Sequence, residues 1–200
     1  MDFLKRFFGF FWELAKVAVV ALVLAGLVRY FLVQPFFVDG ASMEPNFEDG
    51  EYLLVDEASY YFREVGRGEV VVFHYPLDTS KYYIKRVIGL PGETVEIKDG
   101  AITIYNNENP GGFILEEPYV SELARLGNTL FGNAAFGNTK KKLEQGEYFV
   151  LGDNRPASSD SRRWGVLPRA DIVGRVWLRA WPVARASILQ APIYSVENNK

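Results

Sequence analysis

Hydrophobic residues fall into two regimes along this chain. From Leu14 to Val33 they run almost unbroken, and no charge interrupts Val17 to Val28. A run of about 20 apolar residues is the length a helix needs to cross a bilayer. The apolar character goes all round the helix, which disfavours an amphipathic surface helix. Upstream, Phe3, Phe7, Phe8, Phe10, Phe11 and Trp12 suit a membrane interface. Lys5, Arg6 and Lys16 precede the span and predict a cytoplasmic amino end, with Arg29 weighing against them. A cleavable signal peptide or a buried core helix would give a similar run. No clean small-x-small site precedes residue 42, which disfavours the first of these.

Beyond residue 34 the pattern changes to the short, Val-, Ile-, Tyr- and Phe-rich runs of strands. These are Tyr52–Val55, Glu69–Tyr75, Tyr82–Ile88, Thr94–Lys98, Ala101–Tyr105 and Glu147–Leu151, and strand character resumes over Val166–Trp181. Asp99-Gly100 between two alternating runs predicts a tight hairpin. Pro91-Gly92 and Gly66–Gly68 predict turns. Residues 106–146 carry Asn, Gly and Pro clusters, with a hint of a helical turn over Ser121–Leu126, and read as a variable insert or small subdomain. The last fifteen or so residues read as a loose tail. The expected organisation is a transmembrane anchor over 1–33 and a mainly β, antiparallel domain over 34–200.

Composition narrows the chemistry. The chain has no cysteine, so disulfides, thiolate metal sites and a cysteine nucleophile are excluded. A net charge of −3 gives no field for nucleic acid, and Lys140–Lys142 reads as a solvated loop. One histidine and scattered carboxylates lack metal-ligand spacing, and no phosphate-binding glycine loop is present. Neither metal nor cofactor is expected.

Two stretches carry candidate chemistry. Gly40-Ala41-Ser42-Met43-Glu44-Pro45-Asn46-Phe47 places Ser42 in a loop, with Gly40 allowing close backbone approach. Tyr82-Tyr83-Ile84-Lys85-Arg86-Val87-Ile88-Gly89 places Lys85 on an apolar strand. There Tyr83, Lys85 and Val87 share one face, and Arg86 points to the other. A serine needs a group to take its proton. A lysine can do so near neutrality only when burial disfavours its ammonium form. The Ser42 N–H is a candidate oxyanion donor. The sole histidine, His74, offers a rival Ser–His pair, but it stands at a strand end before Tyr75-Pro76.

Both stretches resemble motifs of the bacterial type I signal peptidases, and a third agrees. Gly152-Asp153-Asn154-Arg155-Pro156-Ala157-Ser158-Ser159-Asp160-Ser161-Arg162 is similar to that family's Gly-Asp-Asn-Arg…Ser…Asp-Ser-Arg box. Gly68–Phe73 and Leu90–Glu93 match as well. Pro156 and Ala157 depart from the commoner Asp and Asn. The resemblance implies a membrane-anchored, mainly β serine endopeptidase outside the cytoplasm. It would remove signal peptides from preproteins delivered by the export machinery, cutting after small-x-small sequences. Ser42 would be the nucleophile and Lys85 the base. Ser158 would hydrogen-bond the Lys85 amine. Asp160 and Arg162 would pair and brace the site with Arg86, and the Gly40 backbone would help hold the oxyanion. Phe36, Val38, Met43, Tyr83 and Ile84 would wall the substrate pockets. A self-cleaving repressor-type Ser–Lys protease and a membrane-tethered peptide-binding domain are the rival readings.

Overall fold

The structure is a computed structural model that describes residues 2–31, 33–121, 138–192 and 194. Helix α1 spans Asp2–Phe31 and leads directly into β1 (Val33–Phe37). Leu14, Val17, Val20 and Leu22 are exposed on it. Among the described residues no helix is long and apolar enough to cross a membrane. Leu32, within the expected span, and the side chains of Lys5, Arg6 and Arg29 lie outside the described set.

The rest is antiparallel β structure. One sheet is ordered β1, β2 (Tyr52–Asp56), β11 (Ile172–Trp181), β3 (Val70–Tyr75), β4 (Asp78–Gly89), β9 (Glu147–Leu151), β10 (Leu167–Pro168), with β12 (Ser187–Ile188) paired to β11. The second is ordered β7 (Phe113–Ile114), β6 (Ala101–Tyr105), β5 (Thr94–Lys98), β8 (Thr139–Lys142). In the β5–β6 hairpin Asp99 and Gly100 have φ of 51° and 82°. Both are left-handed, as the type I′ turn requires.

Both faces of the large sheet are covered, so β3 is apolar on successive residues rather than alternate ones. Val70 and Val72 join Leu53, Val55, Met43 and Phe47 on one side. Val71 and Phe73 join Val87, Tyr148, Val150 and Leu167 on the other. A third cluster packs Ile88, Phe149 and Leu151 against Val95, Ile97, Ile102 and Ile104 of the small sheet.

The large sheet curls strongly. Phe36 of β1 and Tyr82 of β4 belong to strands with three others between them, yet their ring centroids are 5.3 Å apart. β1 is an edge strand. β9 pairs with β4 only from Arg86 onward, so the Asp78–Lys85 half of β4 has a free edge among the described residues. Two unpaired edges therefore stand near each other.

Several expectations are corrected. The run Val166–Trp181 is two strands, broken by a turn at Arg169–Asp171 where the Arg169 N–H bonds Gly146 O at 2.7 Å. Lys140–Lys142 is an edge strand, not a loop: its backbone completes the small sheet while its side chains stay wet. Within 106–146, Phe113–Ile114 (β7) and Thr139–Lys142 (β8) join that sheet, and residues 122–137 lie outside the described residues. The helical turn expected over Ser121–Leu126 lies outside the described residues beyond Ser121. The described part of the expected tail is packed: Leu189 joins the core, and Pro192 and Tyr194 lie against Gly68 so closely that a Cβ there would stand 2.9 and 2.7 Å from them; residues 193 and 195–200 lie outside the described residues.

Candidate active site

The loop between β1 and β2 closes on itself through Val38 N–H to Glu51 O (2.9 Å) and Gly50 N–H to Val38 O (3.0 Å). Gly40, at φ +91°, turns it in a conformation that side chains resist. Met43 and Phe47 are buried beneath and pin it to the large sheet. Ser42 rides on this anchored turn. Its carbonyl accepts the Asn154 N–H at 3.0 Å, and Asn154 Nδ2 donates to Ala41 O at 3.0 Å. Gly152 lies so close that a Cβ would stand 2.5 Å from Ser42 O and 2.2 Å from Ser158 Oγ.

Lys85 comes from β4 and is 4% exposed. Its Nζ is 2.7 Å from Ser42 Oγ and 2.8 Å from Ile84 O. The Tyr83 ring lies 5.5 Å from the amine. Burial lowers the Lys85 pKa to about 8; Asp160 and Asp153 pull it up, and Arg162 pushes it further down. A neutral amine at this distance can accept the Ser42 hydroxyl proton.

The surrounding polar groups are arranged differently from the expectation. Ser158 does not bond Lys85. Its Oγ is buried without a well-formed hydrogen bond, near enough to Asp160 to help stabilise that carboxylate. Burial acts to raise the Asp160 pKa, but the Arg162 hydrogen bond and charge, with Ser158 and the Gly152 N–H, hold it below the ordinary range. Asp160 and Arg162 do pair, through Nε to Oδ1 and Nη2 to Oδ2, both at 2.7 Å. Arg86 pairs with neither. It makes a buried two-pronged contact with Asp153 (2.8 and 2.6 Å) and stacks over Tyr119. Gly40 is not a free oxyanion donor, because its N–H goes to Asp49 Oδ1 at 2.8 Å. The Ser42 N–H donates no hydrogen bond among the described residues.

A cleft of about 600 Å³ runs beside the pair, lined by Phe36, Val38, Tyr83 and Ile84, with Ser42 and Lys85 in its wall. Met43 is not in the lining; it is fully buried in the core below. His74 is also absent from the lining, and its Nδ1 is engaged with Thr79 O at 2.8 Å. His74→Ala is expected to leave kcat/KM within about twofold of wild type, as surface changes usually do. A collapse of kcat in a folded variant would reinstate the histidine as base. Among the described residues no group of His, Asp or Glu could hold a metal ion.

The family model described as "Signal peptidase, peptidase S26" matches residues 11–181. The chain belongs to this family. Signal peptidase I of Bacillus amyloliquefaciens is 43% identical over 176 residues, covering 85% of each chain. Signal peptidase I T of Bacillus subtilis is 44% identical over 168 residues, covering 81% of each. A solved signal peptidase I from Enterococcus faecalis has 32% identity and a TM-score of 0.47, over 57% of this chain and 97% of its own. The chain is thus an enzyme, a serine endopeptidase that hydrolyses peptide bonds. Within the family's box, Asp153 and Asn154 prove to be structural partners of the site. Their place in Gly152-Asp153-Asn154-Arg155 was the available signal, but which groups they bond was not readable from it.

Proposed function

We propose that this signal peptidase cuts signal peptides from exported preproteins by a Ser42–Lys85 mechanism. The observation that carries the reading is the 2.7 Å contact between Ser42 Oγ and a buried lysine amine. Ser42 Oγ attacks the scissile carbonyl as Lys85 takes its proton. The Ser42 N–H, which donates no hydrogen bond among the described residues, is the candidate donor to the developing oxyanion. The lysine passes its proton to the departing amine, and the acyl-enzyme forms. Lys85 then draws a proton from water, which attacks the ester and frees Ser42.

The two free strand edges support extended substrate binding. A peptide laid between β1 and β4 would add backbone hydrogen bonds to one or both, sending alternate side chains into the cleft. The bulky lining of Phe36, Val38, Tyr83 and Ile84 favours small residues at two alternate positions before the cut. Helix α1 is read as the membrane anchor, with its amino end cytoplasmic and the β domain outside. Its exposed apolar residues, Val17, Val20 and Leu22 among them, support the anchor. It keeps the site beside the bilayer from which the export machinery releases substrate.

The test is cleavage of a preprotein in detergent, with folding checked for each variant. Ser42→Ala is expected to lose about 10⁴-fold or more in kcat, the order seen when a nucleophile is removed. Undiminished cleavage by Ser42→Ala sinks the assignment. Wild-type kcat/KM should rise with pH to a plateau above the Lys85 pKa, because the amine works only when unprotonated. With that group at about 8, the midpoint should fall there, and a flat profile excludes a lysine base.

A further inference from the structure

Ser42 and Lys85 sit on separate elements, a loop and a strand, and catalysis needs their relative position held closely. A misplacement of about 1 Å can cost on the order of 100-fold in rate. One side chain of the Ser42 turn reaches the strand of Lys85 through a buried ion pair. Asn46 lies four residues after Ser42 on the same turn. Its Nδ2 donates to Tyr119 O at 2.7 Å and to Asp153 Oδ2 at 2.9 Å. A side-chain amide has two such donors, and both are used. Asp153 is fully buried and holds Arg86, the strand neighbour of Lys85. Tyr119, whose carbonyl takes the other proton, lies with its ring under the same guanidinium at 4.0 Å. The Asn46 backbone carbonyl is held in turn by Arg179. Asn46 does not line the cleft; it faces a separate cavity of about 380 Å³ on the far side of the loop.

Resting on the Ser–Lys reading, we propose that Asn46 is a positioning residue. It locks the Ser42 loop to the strand bearing Lys85 through Asp153, Arg86 and the Tyr119 carbonyl. Asp at this position would keep the size but set a carboxylate against Asp153. Ala would leave the buried Asp153 carboxylate and the Tyr119 carbonyl each short of a donor.

The experiment compares Asn46→Ala and Asn46→Asp with wild type and Ser42→Ala on one preprotein. It reads kcat, KM, the pH profile and thermal stability of each. Both Asn46 variants should lose roughly 10- to 100-fold in kcat with KM within about twofold. The acid limb should also move to higher pH, further for Asp than for Ala. Lys85 feels the charges of Asp153, Asp160 and Arg162; Asp adds a carboxylate near it, whereas Ala only removes the amide donor that offsets the Asp153 charge. A purely structural role would lower the melting temperature without moving that limb. If Asn46→Ala fails to fold, the size-matched Asn46→Asp carries the test. Wild-type kcat with an unmoved limb, or a change confined to KM, overturns this inference while an inert Ser42→Ala leaves the mechanism standing. Activity in Ser42→Ala overturns both.

Discussion

Lys85→Met should abolish cleavage and at the same time stabilise the folded protein at neutral pH. Loss of the base should cost about 10⁴-fold or more in kcat, like loss of the nucleophile. The stability gain follows from the lysine's burial. Its pKa is lowered from 10.5 to about 8, so the fold resists the ammonium form. Below about 8 both folded and unfolded chains carry the proton, and the penalty, roughly 3 kcal/mol, is fully present. Between about 8 and 10.5 the unfolded chain binds more protons, so wild-type stability rises with pH across that window. Above it the penalty is gone. Methionine never incurs it, but forfeits the contacts with Ser42 Oγ and Ile84 O, worth about 1 kcal/mol each. The net gain should be about 1 kcal/mol below the window, turning to a loss as pH rises through it. Urea unfolding at both ends of the window measures this. A Met variant less stable by the same amount at every pH would show that the lysine's charge is not disfavoured by the fold.

Arg86→Met should be the more damaging change to the fold. It leaves the carboxylate of Asp153, 0% exposed, with the Asn46 amide but no cation. Breaking a buried pair on one side costs about 3–5 kcal/mol, a fall in melting temperature of roughly 6–20 °C for a chain of this size. The bond to Gly68 O and the stack on Tyr119 go with it. Adding Asp153→Leu should recover part of the loss, because the uncompensated charge goes too. If the single variant melts like wild type, or the double variant melts far below the single one, the damage is not a stranded charge.

What was legible in the sequence was what local chemistry dictates. The Asp99-Gly100 turn and its flanking strands read correctly because glycine and aspartate there meet a demand of the turn itself. Lys85 could be placed among apolar neighbours because side chains alternate along any strand. β1 was hidden because Val33 closes the hydrophobic run of the helix, and Gln34-Pro35 reads as the end of that run rather than as the start of a strand. β8 was hidden by three lysines, which on an edge strand are compatible with a fully paired backbone on one side. The supports of the site were least visible. Asn46 meets Asp153 from 107 residues away, and nothing local to either distinguishes a bonded amide from a turn-forming one. The Gly40 N–H was open to a catalytic reading until Asp49, nine residues on, was seen to take it.

The late position of Arg179 in the chain has a consequence in time. Arg179 secures Asn46 across 133 residues of chain, whereas Ser42 and Lys85 are only 43 apart. At synthesis rates of about 5–20 residues per second, the nucleophile leads the arginine that steadies its turn by roughly 7–30 seconds. During that interval the nascent polypeptide carries Ser42 and Lys85 without the arginine that holds the Asn46 carbonyl. A turn assembled in this order is expected to gain its last support only when late-made residues fold back over early ones.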